Sequence, residues 1–101
     1  MKTLTTTIKR EWLAKIVAGT KKIEYRELKP YWVERLAKYT LPFQLRLING
    51  MSKTAPEVTV LIEKVDIGRE SGFSDNPVYR LHISKVLSYK HWDKKRNAPS
   101  L

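Results

Sequence analysis

The chain has 101 residues and a mass of 11.8 kDa, enough for one domain and too little for two. Lys and Arg number 20 against 10 for Asp and Glu, a net charge of +10 that favours a polyanionic partner, RNA or DNA before an anionic membrane surface. The absence of cysteine excludes disulfides and thiolate metal sites, two histidines alone rarely make a zinc site, and no apolar run reaches the length of a membrane span or a signal-peptide core.

Leu4 to Ile8 is rich in threonine and suits a short opening strand. Thr7 is placed to cap a helix beginning near Ile8. Ile8, Trp12, Leu13, Ile16 and Val17 recur at helical spacing, which puts Trp12 in the core and Lys9, Arg10, Glu11 and Lys15 outside it. Gly19 then closes the helix in the left-handed conformation that glycine adopts without steric penalty.

Residues 19–26 read Gly19-Thr20-Lys21-Lys22-Ile23-Glu24-Tyr25-Arg26, a G-x-K-x-x-E-x-R octet. A chain extended from Lys22 to Arg26 turns Ile23 and Tyr25 to one face and Lys22, Glu24 and Arg26 to the other. Tyr25 is therefore expected in the core, with the charges gathered beside the turn that carries Lys21.

Pro30 opens a second helix at the position where its missing N–H costs nothing, and Trp32, Val33, Leu36 and Ala37 form its apolar stripe. Pro42 prevents its continuation. Phe43 to Ile48 alternates as a strand. Asn49-Gly50 signals a turn, but 51–56 resumes no strand pattern and reads as a longer loop. Glu57 to Ile67 is the longest strand candidate; its apolar positions change parity from Val58, Val60 and Ile62 to Val65 and Ile67, as at a bulge or bend. Gly68 to Pro77 reads as a polar loop and Val78 to Val86 as a final strand. Lys94 to Leu101 reads as a basic tail that frays. Short strands with two helices inserted early predict an α+β fold, a mixed β-barrel of about five to six strands, with one domain over 1–93 and the tail over 94–101.

The order of elements and the octet together resemble the ASCH family, a branch of the PUA-like β-barrel superfamily. Its signature, G-x-K-x-x-E-x-R, lies where the first helix meets the following strand, and Gly19, Lys21, Glu24 and Arg26 match it position for position. Ile8-Lys9-Arg10-Glu11-Trp12-Leu13 through Lys29-Pro30-Tyr31-Trp32 is similar to small single-domain members from bacteria and their phages. The likeness is close over 4–40, and strand rhythm and the Asn49-Gly50 loop carry it over 43–86. It implies a small PUA-like mixed barrel whose cleft is floored by the signature Lys, Glu and Arg, with a role in binding RNA or a nucleotide-like ligand. Some members of the family are ribonucleases. One small group hydrolyses the N-acetyl group of acetylated cytidine with a lysine, a threonine and a glutamate. Lys21 matches that lysine, Glu24 stands where the threonine is expected, and no motif marks the third residue.

The residues have chemistry of their own. Lys21 and Arg26 offer a point charge and a planar donor fork, both suited to phosphate, and Glu24 an acceptor for an exocyclic amine or a ribose hydroxyl. A cross-strand ion ladder that only holds a sheet edge would use the same residue types. Residues 85–96 carry Lys85, Lys90, Lys94, Lys95 and Arg96 with Tyr89, His91 and Trp92 interleaved. That mixture suits single-stranded nucleic acid, where bases stack and the backbone is neutralised; the other reading has Tyr89 and Trp92 packing the last strand onto the barrel.

The expectation is a nucleic-acid-binding module, for RNA or another single strand. Its cleft would take a phosphate or flipped nucleotide at Gly19, Lys21, Lys22, Glu24 and Arg26, with Lys9, Arg10, Lys90 and Trp92 alongside. The alternative is a metal-independent hydrolase of RNA or of a modified nucleoside such as N4-acetylcytidine, with Lys21 and Glu24 as its catalytic pair. No cofactor, metal or membrane partner is expected, and the protein reads as a cytoplasmic monomer or weak dimer.

Overall fold

In the computed structural model, which describes residues 1–70 and 72–101, the threonine-rich opening forms strand β1 (Thr3–Thr7) with Leu4 fully buried. Helix α1 follows at Arg10–Ala18. Its N-cap is Lys9 and no side chain caps it, so Thr7 is not the expected cap; it ends β1, and its carbonyl accepts a bond from Arg26. Leu13, Ile16 and Val17 are the buried stripe of α1, whereas Trp12 is 39% exposed. Gly19 terminates the helix at φ 84°, as its position implied.

Strand β2 covers Ile23–Glu27, and helix α2 covers Pro30–Leu36 with proline in its first turn. Strand β3 (Phe43–Ile48) alternates as its sequence does, with Phe43, Leu45 and Leu47 buried and the residues between them half-buried. Strands β4 (Glu57–Glu70) and β5 (Ser74–Lys90) make a long antiparallel hairpin. Its register shifts between Thr59 and Val60 and again between Leu61 and Lys64, just where the apolar pattern changes parity. The expected loop over 68–77 is largely strand: Gly68 pairs with Val78 and Glu70 with Ser74. Polar composition misleads there because an exposed arm needs no apolar alternation. Gly68 also allows Arg80 to lie against it, since a Cβ there would sit 2.7 Å from the guanidinium carbon.

The main sheet has the order β1-β3-β4-β5-β2, with β1 parallel to β3 and every other pairing antiparallel. It is a curled half-barrel of five strands in an α+β fold. The curl brings its two edge strands together, because Arg26 on β2 donates from Nη2 to the Thr7 carbonyl of β1 at 2.9 Å. The free edge of β1 is covered in turn: Tyr39 reaches the Thr3 carbonyl, Arg35 the Thr5 carbonyl and Arg26 the Thr7 carbonyl. Alternate carbonyls face outward on an edge strand, so three side-chain donors two residues apart satisfy acceptors that would otherwise invite another strand.

The stretch 94–101 is not an unpaired tail. Strand β6 (Trp92–Asp93) pairs with β7 (Ala98–Pro99) in a small closed hairpin. Among the described residues no helix is long and apolar enough to cross a membrane.

Candidate functional site

The octet lies along the seam where the half-barrel fails to close. After Gly19, the N–H groups of Thr20 and Lys21 both return to the Lys15 carbonyl, at 3.0 and 3.1 Å, which fixes the turn. Lys21 is thereby set over the free edge of β2, where its ammonium donates to the Ile23 carbonyl at 2.5 Å and lies 3.4 Å from Glu24 Oε1. Arg26 binds the other oxygen of the same carboxylate, Oε2, and bridges to β1. Glu24 is only 5% exposed and pairs across the sheet with fully buried Leu81. A carboxylate so enclosed requires both cations as partners.

The alternation predicted for β2 holds, but its polarity is inverted. Glu24 and Arg26 take the inward face, and Tyr25 shares the outer face with its partner Arg80. Tyr25 is therefore not a core residue as expected. Its hydroxyl donates to Glu70 Oε2 at 3.1 Å, and its ring meets Phe73 at 5.7 Å between centroids. Burial and the neighbouring Glu70 carboxylate raise the Tyr25 pKa, which keeps the hydroxyl a donor. Trp12 likewise leaves the core. Its ring stands at the cleft wall, 4.8 Å from the Lys15 ammonium and 5.4 Å from that of Lys21. Trp32 is half-buried, with the Arg26 and Arg35 guanidinium groups 5.0 and 5.3 Å from its ring centre.

These groups line a cleft of about 850 Å³. Four aromatic rings belong to its walls: Trp12, Tyr25, Trp32 and Phe73. Its lining holds the cations Lys9, Lys21 and Arg26 and the carboxylates Glu24, Glu27 and Glu70, and Glu27 also pairs with Lys29, outside the lining, at 3.1 Å. The hollow thus carries little of the net charge of +10, and most of the positive surplus lies elsewhere on the surface. Arg26 Nε is enclosed and has no hydrogen-bond partner among the described residues.

The structure brings only part of the expected set together. Lys9, Lys21, Glu24 and Arg26 line the cleft, and Gly19 shapes its turn. Arg10 stands at the rim, holding Asn49 Oδ1 at 3.2 Å, while Lys22 serves the sheet through its carbonyl, which accepts the Ile83 N–H. Lys90 ends β5, away from the cleft lining, and Trp92 is 5% exposed in the core, so its ring is not a stacking surface. Sequence reading missed Glu70 and Phe73, which reach the cleft from the tip of the β4–β5 hairpin. Only the pairing of two strands there, hidden by the polar composition, could have brought them forward. No family model, curated protein or solved structure matches the chain.

Proposed function

We propose that this protein is a nucleic-acid-binding module of the PUA-like, ASCH type that draws one nucleotide of single-stranded RNA, base first, into the cleft on the G-x-K-x-x-E-x-R octet. The observation that carries this reading is the near balance of cations and carboxylates in the cleft lining together with its aromatic walls. A phosphate prefers a net positive cradle, whereas a base is uncharged, stacks on rings and presents donors and acceptors at its edge. Glu24 offers acceptor capacity for an exocyclic amine, and Lys21 a donor for a ring carbonyl, at the floor of the same space. Cations outside the cleft steer and hold the backbone.

Titrating cytidine, adenosine and ribose 5-phosphate while following tryptophan emission tests it, since Trp12 and Trp32 line the cleft. The nucleosides quench emission at a concentration indifferent to salt, and ribose 5-phosphate does not. RNA affinity, in contrast, falls with log salt at a slope of roughly −0.7 per phosphate contacted. Quenching by the sugar phosphate alone would refute a base-first cleft.

Glu70 favours one second reading, a metal-independent hydrolase acting on RNA or on a modified nucleoside such as N4-acetylcytidine. It adds a carboxylate to the cleft whose hydrogen-bond partner among the described residues is the Tyr25 hydroxyl, while each Glu24 oxygen already binds one cation. Glu70 would take the proton of an attacking water and return it to the departing amine or ribose oxygen as the C–N or P–O bond breaks, and Lys21 would stabilise the developing negative charge. Lys21→Ala separates the readings: turnover collapses in the hydrolase, and only affinity changes in the binding module.

A further inference from the structure

The nearly balanced cleft leaves most of the net charge of +10 on the rest of the surface, and one part of that surface is built rather than scattered. The turn between β6 and β7 is organised by a single carboxylate. Asp93 Oδ1 accepts the backbone N–H groups of Lys95 and Arg96 at 3.0 and 3.2 Å, and Oδ2 accepts Arg96 Nε at 3.1 Å. Arg96 Nη2 closes on the Pro99 carbonyl at 2.7 Å, and the Ser100 N–H on the His91 carbonyl at 3.0 Å. His91 and Asn97 take left-handed φ values of 58° and 51° at the two ends, and buried Trp92 roots the hairpin in the core.

The only acid of the hairpin and its arginine are thus occupied with each other. Lys94 and Lys95 project from a fixed turn, with Lys90 at the preceding strand end. All three are exposed, and none makes an ion pair among the described residues. Tyr89, 40% exposed, borders an open hollow of about 830 Å³ on the same hairpin. Fixed cations beside an exposed ring match a chain of phosphates that carries unstacked bases.

We propose that the β6–β7 hairpin is a second contact, separate from the cleft, for the phosphodiester backbone of single-stranded RNA, with Lys90, Lys94 and Lys95 as the phosphate ligands. The choice of RNA as the polyanion rests on the function proposed above; the polyanion contact itself does not. The intact protein, the triple variant Lys90→Gln, Lys94→Gln, Lys95→Gln and the cleft variant Trp12→Ala are titrated with a labelled mixed-sequence RNA, with inorganic polyphosphate and with phosphatidylserine vesicles over a range of salt.

The triple variant is expected to keep the wild-type melting temperature. It loses about tenfold in affinity for RNA and polyphosphate at low salt, and its slope against log salt becomes shallower by about 2, near 0.7 for each of three phosphates. Trp12→Ala weakens RNA binding and leaves polyphosphate binding intact. If the triple variant binds polyphosphate as the intact protein does, or the intact protein binds neither RNA nor polyphosphate, the hairpin contact is overturned. The same holds if vesicles are bound more tightly than either polyanion. RNA binding sensitive to the triple variant but indifferent to Trp12→Ala would remove the cleft reading and leave the hairpin standing.

Discussion

Two clusters of one kind, a carboxylate between two basic side chains, lie on opposite faces of one patch of sheet. On the outer face, Asp66 holds Arg80 through Nε and Nη2 at 2.7 and 3.0 Å and His82 Nε2 at 3.1 Å. On the inner face, Glu24 lies opposite Leu81, the residue between Arg80 and His82, and binds Lys21 and Arg26. The Asp66 side chain is 27% exposed and its partners about as much; the Glu24 side chain is 7% exposed. The outer cluster is a solvated cross-strand ladder, which a curved sheet uses to hold its register. The inner one opens onto the cleft, whose walls include four aromatic rings. Charge pairing alone does not mark a site; the same pair becomes one where the sheet leaves a gap and lines it with surface that is costly to leave wet.

The comparison can be broken first at the two carboxylates. Glu24→Ala leaves two cations facing an enclosed space and is expected to cost about 3 kcal/mol in urea unfolding, with nucleoside binding abolished. Asp66→Ala is expected to lower stability far less and to leave nucleoside affinity unchanged. Equal losses would make both clusters simple ladders.

Trp12→Ala comes next. Trp12 is 39% exposed and outside the core, so a modest fall in melting temperature is expected. Nucleoside affinity falls about tenfold, as for the loss of one stacking surface. Gly19→Ala probes the turn that delivers Lys21. A Cβ there meets nothing within 4 Å, so the cost is the left-handed backbone alone, about 1 kcal/mol. The folded fraction is expected to bind nucleoside as before.

The smallest effect concerns pH. Hydrogen bonds from Arg80 and then His82 hold the Asp66 carboxyl well below its ordinary range. The unfolded chain therefore takes up a proton more readily than the folded one. The contribution is fully present above about pH 4.5 and lost progressively as pH falls below it. Asp66→Asn is expected to flatten that part of the acid limb without touching ligand binding; an unchanged limb would separate Asp66 from the outer ladder.

Local signals carried much of this into the sequence. Gly19 as a helix terminus, Pro30 as a helix start, the alternation of β3 and the parity change in β4 all rest on backbone conformation and neighbours in the chain, and each recurs in the fold. The inverted polarity of β2 was not legible. Alternation gives two faces, and which one is inward depends on β5 and the position of the seam. Glu70 and Phe73 were missed for a related reason: they enter the cleft through a strand pairing across a polar stretch with no apolar signal. Trp92 was read two ways, and burial, which composition does not fix, selects the packing role.

The most direct test is a chemical-shift titration of the isotopically labelled protein with cytidine, at low and at high salt. Perturbed amides at Lys21 to Glu27 and at Phe73, unchanged in extent by salt, are the predicted result. Shifts confined to the Lys94–Arg96 turn, or shifts in the octet that vanish as salt rises, would contradict a nearly balanced cleft that receives a base.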